Sequence, residues 1–193
     1  MTCYLVRHGK DDSSRRGGWS RFGLTEEGRQ QTRDLAEHIR ANRHELNIKK
    51  IYSSDLCRAL ETAQPVAAVL GLEVVPLPQL RETNNGLLAG MPNALAEQAY
   101  PGLYWSALEW DECYPGGENP CSFYERIKTA WADFSAAMLQ TDENVMLVTH
   151  GGVIHVIFTL IEGRAFSNET PRQGVPHAAL MPLRYENQTW QKI

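Results

Sequence analysis

The chain has 193 residues and a net charge of −4, from 19 Lys and Arg against 23 Asp and Glu, so it lacks the basic excess of a nucleic-acid-binding or membrane-surface protein. With 42% hydrophobic and 22% charged residues it has the composition of a soluble globular protein, and its length suits one domain over 1–193 with a substantial core. Any anion-binding function must therefore be local.

Thr2 to Val6 is a short apolar run that predicts a first strand, and Arg7-His8-Gly9 follows at its tip. Thr25 then reads as an N-cap, with Glu26 and Glu27 in the first turn of a helix that continues through Leu35, Ala36 and Ile39 to about Arg40. Ile48 to Ser53 predicts a second strand. Asp55 can cap the next helix, whose Leu56, Leu60, Ala63, Ala67 and Leu70 recur at three- and four-residue spacing. Pro65 should bend or interrupt that helix, and Gly71 suits its end. Leu72 to Pro76 predicts a third strand.

Residues 83 to 121 differ in texture, being rich in Asn, Pro and Gly and holding Trp105 and Trp110. They read as an insertion of short helices and loops over one end of the sheet, in the manner of a lid. Ser122 to Glu125 has the form of a capping box, and Phe123, Ile127, Trp131, Phe134 and Met138 form a helical core stripe. Asn144 to Thr149 contains the unbroken run Val145-Met146-Leu147-Val148, as expected of a central parallel strand. Gly152 to Ile161 predicts a buried helix, and Ala178 to Tyr185 a last strand.

Strands alternating with helices predict a three-layer α/β/α sandwich with a mostly parallel central sheet. Ligands of such sheets bind beyond the carboxyl ends of the strands. Arg7 and His8 end the first strand, Arg58 follows the second and His150 ends the central one, so all four can converge on one rim. Guanidinium forks match phosphate oxygens. Two histidines beside two arginines would repel one another unless an anion joined them. Neutral His8 can serve as a nucleophile, and Glu82, after the third strand, can supply a proton to a leaving oxygen. His155 reads as a core residue, and His38, His44 and His177 as surface or loop residues. Cys3, Cys57, Cys113 and Cys121 form no CxxC pair and read as free thiols. No signal-peptide-like segment opens the chain and no apolar run approaches the roughly 20 residues of a membrane span, so a cytoplasmic location is expected.

The ordered set LVRHGK, SSDLCRALETA, LRE, PGGEN and VTHGG resembles the histidine phosphatase superfamily, with its phosphoglycerate mutase-like fold. LTEEGRQQ is similar to the first helix of that family. The resemblance implies that His8 becomes phosphohistidine, that Arg7, Arg58 and His150, with Gly151 beside it, hold the phosphoryl group, and that Glu82 acts as general acid and then base. It implies no metal and no cofactor, a small phosphorylated substrate, and an insertion that forms part of the substrate pocket. Lys10 and Asp11 stand where the family usually has Glu or Gln and then Thr or Ser, and the family's Asn a few residues later is missing. Lys10, Arg15 or Arg21 is therefore expected to meet a second anionic group of the substrate. A phosphatase is the first expectation. A cofactor-dependent phosphoglycerate mutase and a non-catalytic phospholigand-binding module are the alternatives. Tyr104, Trp105 and Trp110 can line the pocket or a homodimer contact, and the sequence leaves both open.

Overall fold

The computed structural model describes residues 1–170 and 174–193. Six strands form one sheet in the order β3-β2-β4-β1-β5-β6. They are β1 (Thr2–Arg7), β2 (Ile48–Ser53), β3 (Val74–Pro76), β4 (Asn144–Thr149), β5 (Leu180–Glu186) and β6 (Thr189–Lys192). β1 through β4 run parallel, while β5 pairs antiparallel with β1 and β6 antiparallel with β5. The helices are α1 (Glu26–Ala41), α2 (Arg43–Leu46), α3 (Cys57–Leu70), α4 (Asn93–Ala99), α5 (Pro120–Leu139) and α6 (Gly151–Ile161).

The two-residue period of the strands divides the core between two faces. Cys3 and Leu5 of β1 and Val145 and Leu147 of β4 pack with Phe123, Ile127 and Phe134 of α5 and with Ile154 and Ile157 of α6. Their neighbours Tyr4, Val6, Met146 and Val148 pack on the other face with Leu35 and Ile39 of α1 and Ala63 and Val66 of α3. This is why β1 and β4 are apolar at nearly every position. Both faces are covered, so alternation with polar residues would leave unpaired groups in the core. Among the described residues no helix is long and apolar enough to cross a membrane.

Four local expectations are corrected. Asp55 does not cap α3, which begins after Leu56; its carboxylate instead takes Arg81, with Nε at 2.6 Å and Nη2 on the second oxygen. An available guanidinium fork outweighs a backbone N–H for that carboxylate. The helix also continues through Pro65, which sits on a partly exposed face where the freed carbonyl can meet solvent. α5 starts earlier than the Ser122 box suggests. Asn119 is the cap, Pro120 opens the helix, and Ser122 is the third helical residue that reaches back to the Asn119 N–H at 3.1 Å. Finally, β6 extends the sheet after a turn at Asn187-Gln188, both at positive φ, which the sequence reading ended at Tyr185.

Residues 83 to 121 lie over the carboxyl edge of the sheet as short helical turns, loops and α4. They carry a small core of their own, Leu88, Leu108 and Tyr114. Trp110 packs against Tyr124 and Phe166, and all four cysteines are free.

Candidate active site

β1 ends in Arg7, and the ladder that pairs it with β4 continues one step further, His8 N–H donating to the Thr149 carbonyl at 2.9 Å. The two central strands thus hold His8 and His150 side by side, with ring centroids 5.1 Å apart. Arg58 lies in the first turn of α3 and reaches the same point, its Nε donating to His8 Nε2 at 3.3 Å. His8, Arg58 and His150 are only 4%, 1% and 0% exposed, so their interactions take place in a dry environment.

The orientation of His8 is fixed from its other nitrogen. Nδ1 lies 2.7 Å from the Gly9 carbonyl, which can only accept, so Nδ1 carries the proton and Nε2 keeps its lone pair. The Gly9 N–H in turn donates to Thr62 Oγ1 at 2.9 Å, and Thr62 donates to the Arg58 carbonyl at 2.7 Å. A closed chain of hydrogen bonds therefore ties the loop after β1 to α3. Burial lowers the His8 pKa well below the ordinary histidine range, and the Arg58 and Arg7 charges lower it further. His150 is lowered in the same way, by burial first and then by Arg58 and His8. The expected repulsion among four cations is thus relieved in part by keeping both imidazoles neutral.

Arg58 is held on three sides. Its Nη2 donates to the Gly18 carbonyl at 2.8 Å, Nη1 meets Ser20 Oγ at 3.4 Å, and Asp11 Oδ2 stands 3.5 Å from Nε. Gly18 has φ +58, a left-handed conformation that favours glycine, and it aims that carbonyl at Arg58. Arg7 donates to the Val175 carbonyl at 2.9 Å. His150 places Nε2 2.8 Å from Ser54 Oγ, while its Nδ1 has no hydrogen-bond partner among the described residues.

Glu82 comes to the same rim from the loop after β3. Its carboxylate accepts from the Thr83 N–H at 3.0 Å and from the Gly152 N–H, at the start of α6, at 3.1 Å. Its carbonyl accepts from Trp19 Nε1 at 2.7 Å and from Arg126 Nη2 at 3.2 Å. Arg126 also bonds the carbonyls of Gln79 and Arg81 and grips Glu118, whose Oε2 accepts from the Asn84 N–H at 2.8 Å. The PGGEN segment therefore braces the loop that carries Glu82.

Arg7, His8, Arg58 and Glu82 open onto one cavity of about 680 Å³. Its outer walls come from Asp11 to Gly18 on one side and from Asn85, Tyr104, Trp105 and Tyr114 of the insertion on the other. His150 and Gly151 lie behind this wall; a Cβ on Gly151 would meet Arg7 Nε at 3.5 Å. Lys10 and Arg21 are not brought to the cavity. Lys10 pairs with Glu27 on α1, and Arg21 points outward, because the loop turns at Gly17-Gly18 and carries Arg15 and Arg16 inward instead. His177 is not merely a loop residue. Its Nδ1 donates to the His8 carbonyl at 2.8 Å and its ring meets His8 edge-on at 5.5 Å. The sequence signals that could have marked it are its place just before β5 and the pairing of β5 with β1.

A model of the histidine phosphatase superfamily (branch 1) matches residues 3–193. Phosphoglycerate mutase-like protein 4 of Arabidopsis thaliana is 36% identical over 161 residues, which cover 80% of this chain and 68% of that one. A Bacillus subtilis (strain 168) protein named uncharacterized phosphatase PhoE is 26% identical over 189 residues, covering 96% and 89%. Among solved structures, a mycobacterial glucosyl-3-phosphoglycerate phosphatase aligns with a TM-score of 0.79 and 27% identity, over 100% of this chain and 96% of that chain. The family model spans the chain from Cys3 to Ile193, and the chain belongs to the histidine phosphatase superfamily, branch 1.

Proposed function

We propose that the protein is a phosphatase that hydrolyses a small phosphomonoester through a phosphohistidine on His8, without a metal. The observation that carries this reading is the Nδ1 contact to the Gly9 carbonyl at 2.7 Å, which leaves Nε2 unprotonated, its lone pair facing the Arg58 Nε donor at 3.3 Å on the cavity wall. A lowered pKa keeps that lone pair available at neutral pH.

In this reading Arg7 and Arg58 neutralise the phosphoryl oxygens, and His150 contributes a donor through its unpartnered Nδ1 while Ser54 occupies Nε2. His8 Nε2 forms a bond to phosphorus as the ester P–O bond breaks. Glu82 gives its proton to the departing alkoxide. A water then attacks phosphohistidine with Glu82 as base, the P–N bond breaks, and inorganic phosphate leaves with His8 restored. The phosphatase names of the Bacillus and mycobacterial relatives support hydrolysis as the outcome.

The test is hydrolysis of p-nitrophenyl phosphate in EDTA by the wild type and by His8→Ala. Turnover that disappears in the variant, with an acid-labile phosphoryl-enzyme trapped from the wild type, supports the reading; EDTA-sensitive turnover, or turnover that survives His8→Ala, overturns it. A mutase is the second reading, favoured by the name of the Arabidopsis relative. Phosphate retained on the enzyme after a bisphosphoglycerate pulse and passed to phosphoglycerate would favour it.

A further inference from the structure

The loop wall of the cavity contains an arginine, Arg16, two of whose buried donors have no hydrogen-bond partner among the described residues. Among the described residues four arginines line the cavity, and three of them are engaged. Arg7 donates to Val175, Arg58 to His8 and Gly18, and Arg15 donates to the Gly90 carbonyl at 3.1 Å while pairing with Asp12 at 3.3 Å. Arg16 differs. Its Nε and Nη2 are buried and have no hydrogen-bond partner among the described residues. The nearest carboxylate oxygen is Glu97 Oε2 at 3.9 Å, and that oxygen already accepts from the Tyr104 hydroxyl at 2.6 Å.

Such a guanidinium is costly to hold, because donors taken out of water without acceptors lose their hydration. Yet the fold holds it firmly. The guanidinium carbon lies 4.1 Å from the centre of the Tyr104 ring, a stacking that fixes the plane of the fork. The backbone is pinned on both sides, Arg16 N–H donating to the Met91 carbonyl at 2.9 Å and the Arg16 carbonyl accepting from Gly90 at 2.8 Å. Arg16 therefore belongs as much to the insertion as to the loop after β1.

Its distance from the phosphoryl site is bounded by the chain. Gly18, two residues on, gives its carbonyl to Arg58. Two residues span at most about 7 Å of backbone, so the Arg16 backbone stays near the Gly18 carbonyl that binds Arg58, and both side chains line the same cavity.

We propose that Arg16 is a specificity residue that binds a second oxyanion, so the favoured substrate is a phosphomonoester with another anionic group a few atoms from the ester. A planar fork stacked on a ring suits a carboxylate or a second phosphoryl group, and both share the oxyanion chemistry. The inference rests on the phosphomonoester reading above. It moves the second anion contact from Lys10 and Arg21, which face away, to Arg16.

The test is calorimetric binding to the His8→Ala protein, which separates binding from turnover. Three probes are used: glycerol 3-phosphate, 3-phosphoglycerate and glycerol 1,3-bisphosphate. At least one doubly anionic probe is expected to bind about tenfold or more tightly than glycerol 3-phosphate, the effect of one charge-assisted contact. Adding Arg16→Ala or Arg16→Gln should abolish that preference, and the Gln variant keeps a stem against Tyr104 if Ala fails to fold. A preference for the carboxylate or for the bisphosphate identifies which oxyanion is held. Equal affinity for all three probes overturns the proposal, and so does an equal loss for all three in the Arg16 variants. If no probe binds and wild type fails to hydrolyse p-nitrophenyl phosphate, the phosphatase reading falls and takes the proposal with it. If wild type turns over but the probes are not distinguished, only the role of Arg16 falls.

Discussion

The N–H of Gly152 points at Glu82 Oε2 from 3.1 Å, and a Cβ added at Gly152 would lie 2.2 Å from Glu82 Oε1. The glycine is thus both a donor to the carboxylate and the space it occupies. Gly152→Ala should push Glu82 away from the rim. If Glu82 is the proton donor, turnover of alkyl phosphates should fall by about 10²-fold, the lower end of what proton transfer supplies. Hydrolysis of p-nitrophenyl phosphate should fall less, because its leaving group needs little protonation. Equal losses on both substrates would count against Glu82 as the acid.

The buried histidines make stability depend on pH. His8 and His150 have folded pKa values well below 6.5, mainly through burial and then through Arg58. The unfolded chain therefore binds protons that the folded protein does not, at any pH below about 6.5 and above the folded values. Stability should be fully present above pH 6.5 and fall as the pH drops through that value. The slope should approach about 1.4 kcal/mol per pH unit for each histidine. Chemical denaturation between pH 7.5 and 5 measures it, and His150→Asn should reduce the slope.

An oxyanion should raise stability at the same site. Vanadate or phosphate binding only the folded protein at about 100 times its dissociation constant adds about 2.7 kcal/mol. The melting temperature should therefore rise with vanadate, and the rise should shrink in Arg58→Ala. A wild-type melting temperature that ignores both anions would contradict the phosphoryl-binding reading.

Arg126 ties five acceptors together, namely both oxygens of Glu118 and the carbonyls of residues 79, 81 and 82. Arg126→Leu should cost about 1–3 kcal/mol by leaving a partly buried carboxylate and several carbonyls without their donor. Its effect on activity should be on kcat more than on KM, since Arg126 holds the Glu82 loop and is not on the cavity wall. Parallel denaturation and steady-state measurements separate the two effects.

Much of the fold could be read from the chain. The strands β1, β2 and β4 and the helices α1, α5 and α6 follow from apolar runs and helical periodicity, since burial on both faces writes itself directly into composition. What escaped depends on partners distant in sequence. Asp55 has the residue type and position of a cap, and nothing near it in the chain shows that Arg81, 26 residues on, folds back onto it. Ser122 suits the first position of a box because Glu125 follows three residues later, while the structure uses Asn119 with Ser122 as its third helical residue. His177 has only its place just before β5 as a signal, and it reaches His8 because β5 pairs with β1 and the segment before it bridges Arg7. Of the loop cations, the sequence marked Arg15 and Arg21 with equal weight and passed over Arg16, because the turn at Gly17-Gly18 decides which side chains face inward. Charge counting cannot register that choice.

β1 has a hydrogen-bonded neighbour on each side, β4 on one and β5 on the other, and His8 extends the ladder to Thr149. Amide protons in this part of the sheet can reach solvent only when the sheet itself opens, so they should be among the last to exchange with deuterium. The outer cavity walls are built instead from loops, with a separate small core of three buried residues. Those loops can accept new side chains and new lengths without any strand giving up a partner. A lineage built on this plan can change what it recognises while the histidine at the strand tip stays where it is.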